Sequence, residues 1–140
     1  MRTSTNMLRS AGFTLIELLI AIAILAIIMG IAIPSYTQYV LESGRAEAKS
    51  GVLQAGQMLE RCYTRNSSYA SCPGAASYPK SSENDKYDIS IAVADATFTV
   101  TATPKGSQTK DTDCTSFTLT HTGQKGANGG TDAAVIEECW

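Results

Sequence analysis

Gly12-Phe13-Thr14-Leu15-Ile16-Glu17-Leu18-Leu19-Ile20 opens an apolar run that continues to Ile33. One carboxylate, Glu17, stands at the fifth position of that run, just behind a short leader. Residues 1–12 hold Arg2 and Arg9 and no acid. Positive charge before an apolar segment favours a cytoplasmic N-terminus with the remainder sent across the membrane. The 21 residues from Phe13 to Ile33 give about 31 Å of helix, enough to span a hydrocarbon core. Gly30-Ile31-Ala32 also fits the small-x-small site of an ordinary secretory signal, a competing reading. Glu17 argues against it, because a carboxylate costs about 2.5–3.5 kcal/mol at the bilayer centre and calls for a partner. A cut between Gly12 and Phe13 releases an α-amine, and the amine of a neighbouring copy has the right charge to offset the burial of Glu17. The alternative is a Glu17 that snorkels to the interface.

Working outward, 140 residues allow one domain with an appendage. Hydrophobic residues make up 44% of the chain, but many of them lie between Leu15 and Ile33. The rest is rich in Thr, Ser, Ala and Gly and buries only a modest core, which needs further stabilisation. Cys62, Cys72, Cys114 and Cys139 can provide it as disulfides, the expected use of an even count in an exported chain. A zinc site is disfavoured: no pair has C-x₂₋₄-C spacing and the single histidine is His121. Sequence alone leaves three connectivities open. The net charge is −2; without the leader, 9 basic face 13 acidic side chains, a net charge of −4. That balance gives no general attraction to nucleic acid.

Pro34 lacks an N–H and is expected to kink the helix without ending it. Beyond it, Leu41, Ala48, Val52, Ala55, Leu59 and Cys62 form an apolar stripe, with Glu42, Arg45, Lys49, Gln57 and Arg61 largely on the opposite side. Gly44, Gly51 and Gly56 on that half suggest close approach of another element. The pattern predicts one helix over about residues 13–64, about 75 Å if straight. Residues 66–86 read as loop, with Pro73, Gly74 and Pro79. Tyr87, Ile89, Ile91 and Val93 alternate with polar or small residues, as do Phe98, Val100 and Ala102 after Ala94-Asp95-Ala96, predicting a β-hairpin. Phe117 and Leu119 mark a third strand ending near His121. The expected fold is α+β: an antiparallel sheet of three or more strands packed on the outer half of the long helix. The glycine-rich stretch from Gly123 reads as flexible loop, followed by an apolar and acidic tail.

Gly12-Phe13-Thr14-Leu15-Ile16-Glu17, followed by a long apolar helix with Pro34 at its far end, resembles the prepilin motif of type IV pilins and pseudopilins. The resemblance implies a cleaved leader (1–12), a transmembrane and filament-core helix (13–34), and a periplasmic or extracellular globular domain (35–140). It further implies cleavage after Gly12 by prepilin peptidase, N-methylation of Phe13, and assembly through Phe13, Glu17 and Pro34. The partners it implies are other pilin subunits, the peptidase, the inner-membrane assembly platform, and membrane lipid before assembly. The location it implies is a bacterial, Gram-negative inner membrane and then the extracellular pilus. Arg61-Cys62-Tyr63-Thr64, Tyr69 to Cys72, Thr101-Ala102-Thr103-Pro104 and Cys139-Trp140 look most like minor pilins of the PilE type, so the resemblance covers nearly the whole chain. Ala26 departs from it, standing where many type IV pilins carry glycine. The local pairing Cys62–Cys72 and Cys114–Cys139 is expected because both rings are short and because similar pilins close a C-terminal loop with a disulfide.

Catalytic chemistry does not emerge. His121 shares strand parity with Phe117 and Leu119, so a partly buried histidine is expected rather than a general base. Asp111-Thr112-Asp113 lacks the glycine and distal glutamate of a calcium loop and reads as a turn. The glycines from Gly123 to Gly130 carry no P-loop Lys-Ser/Thr. Asn66-Ser67-Ser68 fits a glycosylation acceptor by chance. No cofactor or metal is expected. Lys105, Lys110 and Lys125 form a candidate ligand-contact loop if they share one tip; a solvated face is the alternative. The expected function is a structural minor pilin serving pilus assembly, and through it twitching motility, adhesion or DNA uptake. Its alternatives are a DNA- or surface-binding module at the pilus tip and a pseudopilin of a type II secretion system.

Overall fold

The computed structural model describes residues 12–140, so the expected leader lies outside the described residues apart from Gly12. The chain forms two units, one up to Thr37 and one from Gln38 to Trp140. Helix α1, Leu15–Asn66, begins and ends two residues later than the apolar pattern suggests. Its start is set by Thr14, which caps it. Its end is set by Ser67, whose φ of 55° takes the chain into the left-handed region while its N–H bonds back to the Tyr63 carbonyl. Pro34 lies inside α1, and helical residues continue past it. It denies the Gly30 carbonyl its usual donor four residues on.

From Leu15 to Ile33 the helix is apolar on all sides apart from Glu17. Large side chains from Phe13 to Ile33 are all open; Leu19, the least exposed, is still 49% accessible.

The second unit is a five-stranded antiparallel meander in the order β1-β2-β3-β4-β5. Its strands are β1 Lys80–Ser81, β2 Tyr87–Val93, β3 Phe98–Pro104, β4 Phe117–Thr120 and β5 Lys125–Ala127. Ile91 pairs with Val100 and Val100 with Leu119. Strand alternation therefore turns Tyr87, Ile89, Phe98, Val100, Ala102 and Phe117 inward, and all six are buried. They pack on Ala48, Val52, Ala55 and Leu59 of α1, each with no exposed surface. The approach is close enough that a Cβ on Gly56 would meet the Leu119 side chain at 3.0 Å. Cys62 is bonded to Cys72 and Cys114 to Cys139, with sequence separations of 10 and 25. By chain entropy these closures contribute about 2.7 and about 3.5 kcal/mol.

Several expectations change. The stretch read as loop holds a short 3₁₀ helix, Pro73–Ser77, and β1. Within the glycine-rich stretch read as flexible loop, Lys125–Ala127 is strand, because Thr118 pairs across to Gly126. Its tail is helix α2, Ala133–Cys139, capped by Asp132, whose carboxylate accepts from the Ala134 N–H at 2.9 Å. Arg45, expected on the polar side of α1, is buried. His121, expected to be partly buried, is exposed, because β4 ends at Thr120 and leaves it in a turn.

Candidate functional site

The first site is the head of α1. Thr14 and Glu17 form a reciprocal cap: the Thr14 N–H and hydroxyl donate to Glu17 Oε2 at 2.9 and 2.8 Å, and the Glu17 N–H donates to Thr14 Oγ1 at 3.2 Å. This is the Thr-x-x-Glu capping box, which satisfies two of the orphan donors of a helix N-terminus. Reading Glu17 only as an unpaired charge misses this partner, although the spacing of the two residues in the sequence was enough to find it. Among the described residues Oε1 receives no hydrogen bond. Phe13, directly before the cap, is 92% exposed. The arrangement presents one free carboxylate oxygen beside an aromatic side chain, at the head of a helix whose apolar surface is long enough to cross a membrane.

The second unit supplies surface, and its charges are unevenly placed. Arg45 donates to both oxygens of Asp111, from Nε at 2.7 Å and Nη2 at 2.8 Å, and lies 3.6 Å from Asp113. Burial by itself would raise the Asp111 pKa. The Arg45 guanidinium and the Cys114 and Asp113 N–H groups outweigh that and hold it below the usual carboxylate range. Gln108 fills the space left open by Gly44 and donates to the Leu41 carbonyl at 3.0 Å. Glu47 accepts from Ser82, from Asn84 twice, and pairs with Lys86 at 3.5 Å.

The three candidate lysines do not form one tip. Lys105 is taken up by Asp85 and by Asp88, the latter at 2.9 Å. Lys110 ends the 3₁₀ turn Gly106–Lys110. Lys125 pairs with Leu119, and Leu119 with Val100, which is five residues from Lys105 along the strand direction, roughly 17 Å away at 3.4 Å per residue. Lys125 instead lies over the Trp140 ring, 4.9 Å from its centre, and Trp140 also accepts from Lys49 at its carbonyl, 3.2 Å. Burial, then Arg45 and Lys125, depress the Lys49 pKa.

An open groove of about 730 Å³ runs between α1 and the β4–β5 turn. Leu53, Phe98 and Leu119 form its apolar floor; Gln57, Arg61 and His121 are among its polar rim. His121 sits edge-on to Phe98 with ring centres 6.5 Å apart. Among the described residues no cluster of three or more His, Cys, Asp or Glu is placed to hold a metal ion.

Two family models match the chain. One, the prokaryotic N-terminal methylation motif, matches residues 7–33; the other, described as type IV minor pilin ComP, DNA uptake sequence receptor, matches residues 34–118. The chain is 34% identical over 110 residues to the type IV major fimbrial protein FimA of Dichelobacter nodosus, covering 66% of this chain and 69% of that protein. It is 39% identical over 71 residues to the type IV major pilin protein PilA of Myxococcus xanthus, covering 51% and 29%. Three of the curated relatives it matches are spanned over 29%, 64% and 59% of their own lengths, less than two thirds in each case. In fold it is similar to the non-core minor pilin PilV of Neisseria meningitidis, with a TM-score of 0.52 at 18% identity, covering 68% and 93%. A type IV pilin from Shewanella oneidensis gives 0.50 at 25% identity, covering 71% and 97%.

Proposed function

This chain belongs to the type IV minor pilin family and is a structural pilus subunit, and from that premise we propose that it assembles through the head of α1. Prepilin peptidase cuts between Gly12 and Phe13 and methylates Phe13. The helix from Phe13 to Pro34 rests in the inner membrane of a Gram-negative bacterium, then leaves it at the assembly platform for the filament core. One observation carries this reading: from Leu15 to Ile33 the helix is open on all sides and, apart from Glu17, apolar. Such a surface is stable only in lipid or against other subunits. Glu17 keeps one carboxylate oxygen free beyond its cap, the group that receives the new α-amine of a neighbouring Phe13. Mass spectrometry of sheared filaments tests the assignment. The expected product begins at N-methylated Phe13 and carries both disulfides; an intact leader in filaments refutes it.

A second reading is contact with DNA during uptake. It is supported by the description of the family model that matches residues 34–118. In that reading the second unit offers the contact surface, and motility or adhesion needs no further site.

A further inference from the structure

Resting on the reading of DNA contact, we propose that duplex DNA lies along the groove between α1 and the β4–β5 turn, with its phosphates on Lys49, Lys125 and Arg61. The loop that carries Lys105 and Lys110 is not the contact. Charge placement argues for this. The carboxylates Glu47, Asp85 and Asp88 take up Lys86 and Lys105 on the β1–β2 side. Among the described residues none of Lys49, Lys125 and Arg61 has an Asp or Glu carboxylate within 4 Å; Lys49 donates to the main-chain oxygen of Trp140.

Of these three cations Arg61 lines the groove itself, while Lys49 and Lys125 stand together at Trp140, outside its lining. Lys49 and Arg61 lie twelve residues apart on α1, about 18 Å along its axis and about 120° around it. Lys125 stands beside Lys49, both against Trp140, and is the register partner of Leu119 in the groove floor. Between the two ends the rim carries the Gln57 amide, the Thr120 and Thr122 hydroxyls and the His121 ring. Neutral donors of that kind bond phosphate oxygens without adding charge. The one acid on the rim, Glu60, has a carboxylate oxygen engaged by the Tyr69 hydroxyl at 3.0 Å. With one phosphate per about 3.4 Å of each strand, 18 Å of groove faces about five phosphates. Among the described residues Lys80 on β1, Lys110 at the end of the 3₁₀ turn and Arg65 in the last turn of α1 are also without an Asp or Glu partner, and none of the three lines the groove.

The test uses the full chain in a non-ionic detergent and a fluorescent DNA duplex of about two helical turns, titrated from about 50 to 200 mM salt. Lys125→Gln combined with Arg61→Gln is expected to weaken binding by roughly tenfold per charge near 0.1 M salt and to flatten the log–log salt slope by about 1.8. Lys125→Arg is expected to retain binding, and Lys105→Gln with Lys110→Gln to leave affinity and slope unchanged. Lys125 and Arg61 are exposed, so a melting midpoint recorded for each variant separates loss of contact from loss of fold. If the wild type binds and the groove variant binds equally well with the same slope, the groove assignment is overturned while the DNA reading stands. A wild type that fails to bind even at low salt overturns the DNA reading and the groove together. Equal affinity for heparin overturns duplex DNA as the occupant.

Discussion

Arg45 on α1 and Asp111, 66 positions later, hold each other bidentately with both side chains out of solvent. The pair ties the segment leading into Cys114 to the helix. Its removal leaves a buried charge without a partner. Arg45→Ala or Asp111→Ala is therefore expected to destabilise the second unit by about 3–5 kcal/mol, whereas replacing both by Met and Leu costs less than either single change. Urea unfolding of the four proteins measures the cycle. Additive single effects would show that the two groups do not act as a pair.

The same pair sets a pH dependence. Asp111 has a folded pKa below its unfolded value of about 3.9, so its contribution is complete above that value. It is lost as pH falls through the folded pKa. Stability is expected to drop on acidification below about pH 4, and Asp111→Asn to be less stable at neutral pH with a flatter acid limb. Unfolding midpoints from pH 2 to 7 decide it.

Tyr87 is fully buried, and among the described residues its hydroxyl has no hydrogen-bond partner. Burial pushes its pKa up to about 12. Tyr87→Phe removes the unpaired group and is expected to be neutral or to stabilise by about 1 kcal/mol at pH 7. A raised phenol pKa contributes stability below pH about 10 that disappears as pH rises towards about 12. The alkaline loss between those values should shrink in the Phe variant. A marked destabilisation at pH 7 would mean that a water or another group satisfies the hydroxyl.

The disulfide Cys114–Cys139 closes the longer ring, and both of its cysteines are fully buried. Changing both to Ser is expected to cost about 3.5 kcal/mol in chain entropy, against about 2.7 for Cys62 and Cys72. Melting of the two double variants ranks them, and a larger loss for the shorter ring contradicts the estimate.

Glu17→Ala removes the carboxylate and the reciprocal cap at Thr14. The expected outcome is a variant absent from sheared filaments whose second unit melts like wild type, since among the described residues the Glu17 side chain hydrogen-bonds Thr14 alone. Glu17→Gln separates the two roles: it keeps an acceptor for Thr14 but not the charge. Recovery of Glu17→Gln in filaments at wild-type level would assign the residue to capping alone.

The sequence by itself determined what depends on local spacing. The 21-residue apolar run, the carboxylate at Glu17, the alternation in β2 and β3 and the stripe from Ala48 to Leu59 all repeat within a turn or a strand. A helix with a three-to-four-residue period and strands with a two-residue period announce themselves at that range. Thr14-x-x-Glu17 was equally local, and its cap was legible before any coordinates. The tertiary structure alone decided what depends on residues far apart. Arg45 looked like a solvated cation because Asp111 is 66 positions away. β1 and β5 are two and three residues long, too short for any period, and exist because Ile89 and Leu119 offer them a partner strand. The lysines grouped by their nearness in sequence were separated by register: Lys105 went to Asp85 and Asp88, and Lys125 to Trp140 beside Lys49. Charge is long-ranged, so its meaning depends on which strands meet, and a linear chain does not state that.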